Sequence, residues 1–310
     1  MESVNRRVIG QAGASPARRS ASAAKSRRRG FLVAPYLQAA PLALTFAAFL
    51  VVPIATVLVV SFWDYDTARL LPSFVLTNYQ ELLFSWITWE TYLQTIGFAA
   101  ITWTLTLLIG FTVAYFLAFH VRSKVWQTVL FLVCTVPFWT SNIIRMIAWI
   151  PFLGRNGLLN EALLHLGLIR QPLEFLLFSN FAVILAYVHL YTLFMVVPIF
   201  NSMVRIDRAL LEAARDLGAS GWQTLRHVVI PLCKPGIAIG TVFVVTIVMG
   251  DFVTVGIMSG GQSASVGLMM LNAMSLLQYP AAAANAVVLL AIVLITIGAL
   301  MRLVDIRKEL

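Results

Sequence analysis

Charged residues are scarce. Asp, Glu, Lys and Arg make up 11% of the 310 residues, less than half of the roughly 25% usual in a soluble domain. An aqueous fold of this composition has too little polar surface to cover itself. Cysteine is nearly absent. Cys134 sits inside an apolar run and Cys233 in a basic loop, so they are expected at different depths, and a disulfide framework is excluded. The chain contains no Gly-x-x-x-x-Gly-Lys-Ser/Thr stretch, which excludes ATP hydrolysis through a phosphate-binding loop of that kind. His120, His165, His189 and His227 are scattered without metal-ligand spacing, so no metal is expected. Neither paired carboxylates nor a nucleophile with its base stands out, and the chain is not expected to be an enzyme. It also lacks the internal repeat that a secondary transporter built from inverted halves would show.

What the chain has instead is apolar length. Hydrophobic residues account for 60% of it. Six runs, at 37–62, 93–119, 126–150, 176–200, 236–258 and 281–302, reach the roughly 20 residues that cross a bilayer. Each must be helical, because a lone strand in lipid would leave its backbone groups unpaired. The expected fold class is therefore all-α, a polytopic membrane bundle of six transmembrane helices occupying residues 31–310. Residues 1–30 are rich in Arg, Ser, Ala and Gly without a hydrophobic period and read as a disordered basic tail. Within and just beyond it, Ser26 to Leu32, with Arg27, Arg28 and Arg29, resembles a twin-arginine export signal. The apolar run that follows is longer than a signal core of about 7–15 residues, which favours a cytoplasmic anchor ahead of the first span.

Net charge is +9, but the charge does not form the face that a nucleic acid would need, and none is expected as a partner. Eighteen of the 22 basic residues fall in four places: the tail, the loop after the second run (Arg122, Lys124), the loop after the fourth (Arg205, Arg208, Arg215, Arg226, Lys234) and the end (Arg302, Arg307, Lys308). The alternate loops carry Asp64, Asp66, Glu81, Glu90, Glu161 and Glu174. Positive loops stay inside, so both termini are expected in the cytoplasm and the chain in a bacterial inner membrane. Trp63, Tyr65, Trp86, Trp89 and Tyr92 cluster around the first outer loop, at the interfacial depth that Trp and Tyr favour. The outer loops at 64–92 and 151–175 have room for short helices lying on the membrane.

The loop at 201–235 is the most informative segment. Ile206, Leu210, Ala213, Ala214 and Leu217 follow a helical period. Asp207 is placed to cap its start and Gly218 to end it. Ser220 and Gln223 form a capping box for a second short helix, which Pro231 and Pro235 are expected to terminate before the next span. Small residues at Ala213, Ala214 and Gly218 allow another protein's backbone to come close. The spacing of Glu212-Ala213-Ala214, Gly218, Val228, Ile230 and Pro231 resembles the EAA loop of type I, binding-protein-dependent ABC import permeases, whose fold is called MetI-like. The resemblance implies that this loop couples to an ATP-binding subunit, with Glu212, Ala213, Ala214, Gly218 and Pro231 at the contact. It also implies partners: a dimer of ATP-binding subunits, a second permease subunit in a heterodimer, a periplasmic substrate-binding protein and membrane lipid. ATP and Mg would be bound by the ATPase subunits and no cofactor by this chain.

For the cargo, Pro137-Phe138-Trp139-Thr140, Ile144-Arg145, Ala148-Trp149 and the stretch Gly154 to Asn160, with Gly250-Asp251-Phe252-Val253, resemble permeases of spermidine and putrescine importers, with Asp251 where that family has Glu. The resemblance implies a polyamine as the small solute. Importers of an opine, an amino-acid derivative or an iron chelate remain alternatives. Intramembrane charges are functional candidates. Asp251 is placed to attract an ammonium group or to pair with Arg145 or a backbone group, and Arg145 to pair or to gate. Trp139, Asn142, Arg145 and Trp149 are spaced to share one helix face. Aromatic residues there suit an organic cation, or simply pack. Gly236-x-x-x-Gly240 permits close helix packing.

Overall fold

The computed structural model describes residues 39–66 and 69–303. The basic tail at 1–30, the Ser26 to Leu32 stretch and the cations Arg307 and Lys308 lie outside the described residues. The chain divides into two units, residues 1–56 and 57–310. The described part of the first belongs to helix α1 (Ala39–Val60), which is long and apolar enough to cross a membrane. A π turn at Ala47–Val51 ends two residues ahead of Pro53. The hydrogen-bond register is therefore already shifted where proline cannot donate.

The second unit opens on a short antiparallel pair, β1 (Asp64–Asp66) and β2 (Arg69–Leu71), with Tyr65 opposite Leu70. Helix α2 (Thr77–Phe84) follows. The Asn78 amide donates to the carbonyls of Ser61 (3.2 Å) and Trp63 (2.8 Å), and the hydroxyls of Ser61 and Tyr79 lie 2.7 Å apart. This buried amide fixes the turn that a strand pair and helix of so few residues could not hold alone.

Three long helices form the core. They are α3 (Trp86–His120), α7 (Asn180–Val204) and α9 (Gly221–Gly250), and each packs on the other two. Ser85 caps α3 by accepting from Thr88 N, and Ser179 caps α7 by accepting from Ala182 N. Lipid offers no hydrophobic drive for helices to associate, so contact depends on small residues that admit a neighbour. Gly236 is such a site: a Cβ there would stand 2.5 Å from Pro198 O and 2.5 Å from Ser202 Oγ. One turn on, a Cβ at Gly240 would meet Met195 Sδ at 2.6 Å. Tyr187, Met195, Ile199, Met203, Val244 and Val248 are buried between these helices, and Trp103 Nε1 donates to Thr241 Oγ1 at 2.9 Å.

The third apolar run is not one straight helix. It consists of α4 (Lys124–Trp139) and a second piece beginning at Asn142, bent by 88° at the break. Thr140 is extended and its hydroxyl donates to Pro137 O at 2.8 Å. Pro137 closes α4 as a 3-10 turn because it cannot continue the helical donor ladder. Past the break run α5 (Asn142–Leu153) and α6 (Leu158–His165). Buried Asn160 holds them in place: its amide donates to Gly154 O (3.0 Å) and Leu173 O (3.2 Å), and its oxygen accepts from Leu173 N (2.8 Å). The Gly154 to Asn160 stretch is thus a clamp on this loop. The exposed Arg155–Glu174 ion pair at 3.4 Å adds at most about 1 kcal/mol.

Between α7 and α9 stands α8 (Arg208–Asp216), capped by the Asp207 side chain, which accepts from Ala209 N at 3.0 Å. Gly218 adopts φ +79°, the left-handed conformation that only glycine takes without strain. Both halves of the Ser220–Gln223 capping box form. The second short helix, however, does not end at Pro231 and Pro235. It runs on as α9, because a π turn at Leu225–Val229 precedes Pro231, and Pro235 is held inside the helix. The fifth run differs as well. It stops at Gly250, Asp251 is extended, and a separate helix α10 (Val253–Met258) follows. Helices α11 (Val266–Ser275) and α12 (Tyr279–Leu303) complete the described chain. Both cysteines are free.

Candidate functional sites in the bundle and on its connecting loop

Asp251 occupies the break between α9 and α10. Its Oδ1 accepts from Thr254 N at 3.0 Å, and its Oδ2 accepts from Thr254 Oγ1 at 2.5 Å and from the Tyr191 hydroxyl. Ser265 Oγ donates to the Asp251 carbonyl at 3.2 Å. Every one of these partners is neutral, and no ion pair joins Asp251 to Arg145 among the described residues. The expected alternative of an Arg145 partner is therefore replaced by a Tyr–Thr cradle, which engages both carboxylate oxygens through neutral donors. The carbonyl end of α9 adds partial negative charge at the same point. The carboxylate lines a cavity of about 320 Å³ together with Asn142, Met146 and Tyr191. Chemically, the arrangement can receive a cation.

Tyr191 is 3% exposed and stacks on Tyr187, ring centroids 5.6 Å apart. Phe98 packs edge-on against Tyr187 at 6.2 Å. This aromatic file fixes the direction of the Tyr191 hydroxyl. The Tyr187 hydroxyl is buried without a hydrogen-bond partner among the described residues.

Arg145 donates through Nη2 to the Asn142 side chain, and its buried Nε finds no partner among the described residues. With Cys134, Phe138 and His189 it lines a second cavity of about 180 Å³. Trp149 Nε1 donates to His189 Nδ1 at 3.0 Å, which places the ring proton of a neutral His189 on Nε2. The expectation that Trp139, Asn142, Arg145 and Trp149 share one face is corrected by the break at Thr140. Asn142, Arg145 and Trp149 stand on α5, whereas Trp139 ends α4 and is 80% exposed. Sequence reasoning missed Tyr191, Thr254 and His189. Tyr187 and Tyr191, one turn apart in an otherwise apolar run, were the available signal for a polar file.

The loop helix α8 has no buried residue. Glu212 and Ala213 are exposed and Ala214 is half-buried, while Leu210 and Leu217 are 48% and 88% exposed. Pro231 sits beyond it on α9, half-buried. Leu211 packs against the bundle, whereas Leu210 and Leu217 of this amphipathic helix stay open.

The family described as binding-protein-dependent transport system inner membrane component matches residues 107–308, more than half of the chain, including both sites and the loop. The chain belongs to that family. This inner membrane component is 36% identical over 243 residues to the spermidine/putrescine transport system permease protein PotB of Escherichia coli (strain K12), covering 78% of this chain and 87% of that one. It is 35% identical over 224 residues to the PotB of Haemophilus influenzae, covering 71% and 76%. Its fold matches a chain of a solved bacterial alginate ABC transporter in complex with an alginate pentasaccharide-bound periplasmic protein, with a TM-score of 0.70, 17% identity, and 92% and 97% coverage. A second structure of an alginate importer gives a TM-score of 0.65 at 19% identity. The fold is that of an ABC transporter permease, and the protein is a multi-pass inner-membrane transport permease.

Proposed function

We propose that this permease moves a polyamine such as spermidine or putrescine by alternating access, and that Asp251 receives an ammonium group of the cargo on the way. The observation that carries the reading is an intramembrane carboxylate with neutral partners only, open to a cavity of about 320 Å³. An uncompensated charge in lipid is costly unless it serves a passing ion. The identity to permeases named for spermidine and putrescine supports the same cargo.

In this reading both termini and α8 face the cytoplasm. The open face of α8, with Glu212, Ala213 and Ala214, docks on a dimer of ATP-binding subunits that hold ATP and Mg and perform the hydrolysis. Gly218 and Pro231 shape the segment behind it. A second permease subunit completes the pathway, and a periplasmic binding protein delivers the cargo. The test is ATP-dependent uptake of labelled spermidine by cells producing the chain with its partner subunits. Asp251→Asn is expected to raise KM about tenfold, a loss of about 1.4 kcal/mol, with the protein still inserted. Unchanged spermidine uptake by the variant removes Asp251 from the pathway, and wild-type cells that take up no polyamine remove the cargo.

The unpartnered Nε of Arg145 beside a cavity favours a second reading, a solute with a carboxylate such as an opine or amino-acid derivative. Competition of such solutes against labelled spermidine separates the two.

A further inference from the structure

A third cavity lies at the end of the bundle opposite α8. It measures about 510 Å³ and is bounded by the start of α3, the loop at 260–264 and one face of α11. Its polar lining consists of Glu90, Thr91, Gln94, Gln262, Ser263 and Asn272, and among the described residues no Lys, Arg or His side chain lines it. Glu90 is exposed and has no ion pair or side-chain hydrogen bond among the described residues. The amide of Gln94 is turned toward Asn180, to which Gln94 Nε2 donates at 3.3 Å, and Ser263 Oγ donates to the same Asn180 oxygen. Gln94 Oε1 accepts no hydrogen bond among the described residues. An exposed carboxylate beside three side-chain amides, with no cation in the lining, has the acceptor chemistry that an ammonium group satisfies.

Helix α11, which walls this cavity, also rests on the backbone at Asp251. Ser265, which opens α11, donates to the Asp251 carbonyl at 3.2 Å, and Val266 N donates to Thr95 Oγ1 at 3.0 Å. Gly267 lies so close behind the break that a Cβ there would stand 2.9 Å from Gly250 O and 3.1 Å from the Asp251 carbonyl oxygen. Any shift of α11 against α3 therefore presses on the backbone that carries Asp251.

We propose that the cavity around Glu90 is a first station for an ammonium group of the cargo, ahead of Asp251, and that its α11 wall links occupancy there to the break at Gly250–Asp251. The proposal rests on the reading of the cargo as a polyamine.

The test places a cysteine in the wall, Asn272→Cys, with Cys134→Ser removing the half-buried native thiol; Cys233 is buried. Membranes carrying the full chain with its partners are treated with a cationic and an anionic methanethiosulfonate reagent of equal size. The cationic reagent is expected to react about tenfold faster, because a single nearby carboxylate attracts one reagent and repels the other. Adding Glu90→Gln should bring the ratio close to one. Putrescine at millimolar concentration should slow the modification, and less so in Glu90→Gln. Gln262→Cys repeats the measurement from the opposite wall should Asn272→Cys fail to insert. Equal rates for the two reagents overturn the station. So does absence of protection by putrescine in membranes whose intact cells take putrescine up, an outcome that leaves the transport reading standing. Protection without any uptake keeps the station and overturns the assigned cargo.

Discussion

Tyr191 shows how one side chain can hold an intramembrane carboxylate in place without a counter-ion. Its hydroxyl donates to Asp251 from a buried position, and stacking on Tyr187 stops it from turning away. A counter-ion would compete with an arriving cation, whereas a hydroxyl only satisfies a lone pair. Tyr191→Phe keeps the stack and removes the donor. A hydrogen bond to a charged group contributes about 1.5–3 kcal/mol, so the variant should hold Asp251 less firmly. The expected outcome is a KM for spermidine raised several-fold or more in the uptake assay, with insertion unchanged. An unaltered KM would show that Thr254 and the backbone suffice. Asp251 itself was legible in the sequence, because a lone carboxylate in an apolar run is conspicuous on cost alone. Its partners were not. Tyr191 is sixty residues away on another helix, and His189, which looks like a stray histidine in the sequence, proves to be the acceptor for Trp149. Such pairings follow from how helices face one another, which periodicity does not encode.

At the scale of the element, the long apolar runs and the capped loop helix were readable because each rests on local chemistry. Asp207, Gly218, Ser220 and Gln223 all act within four residues of their partners. The interruptions were not. Nothing in apolar composition distinguishes 126–150 from a straight span, although Pro137 and Thr140 bend it by 88°. Pro231 misled in the opposite direction, since a π turn absorbs it and the helix continues. The glycines of α9 carry a firmer message than their spacing alone. A Cβ at Gly236 would collide with Pro198 O, and a backbone carbonyl inside a packed helix cannot step aside as a flexible side chain can. Gly236→Val should therefore separate α9 from α7 and destabilise the bundle by about 1–3 kcal/mol. A lower thermal midpoint for the detergent-solubilised protein would report it. A midpoint equal to wild type would mean that the α7–α9 contact is looser than the structure shows.

Across the whole molecule, the loop helix and the carboxylate are connected through the same two helices, α7 and α9. Helix α7 carries Tyr191 and ends at Val204, just before α8; α9 begins at Gly221, just after it, and ends at Gly250 beside Asp251. The Tyr191–Asp251 hydrogen bond thus joins the middle of α7 to the far end of α9, the two helices that α8 connects at their near ends. Gly236 and Gly240 hold the same two helices in close contact between. A force applied to α8 reaches both helices without passing through a flexible linker, and a small tilt of one past the other acts directly on the Asp251 cradle. Glu212 stands exposed on α8, where such a force would enter. Glu212→Lys reverses a charge at that surface without touching the core, so insertion and thermal stability are expected to match wild type. ATP-dependent uptake should fall at least tenfold, and co-purification of the ATP-binding subunit should weaken. Because Glu90 is unaltered, the charge preference at its cavity should survive in the same variant. Full uptake and undiminished co-purification in Glu212→Lys would detach α8 from the motor and leave the α7–α9 pair without a drive.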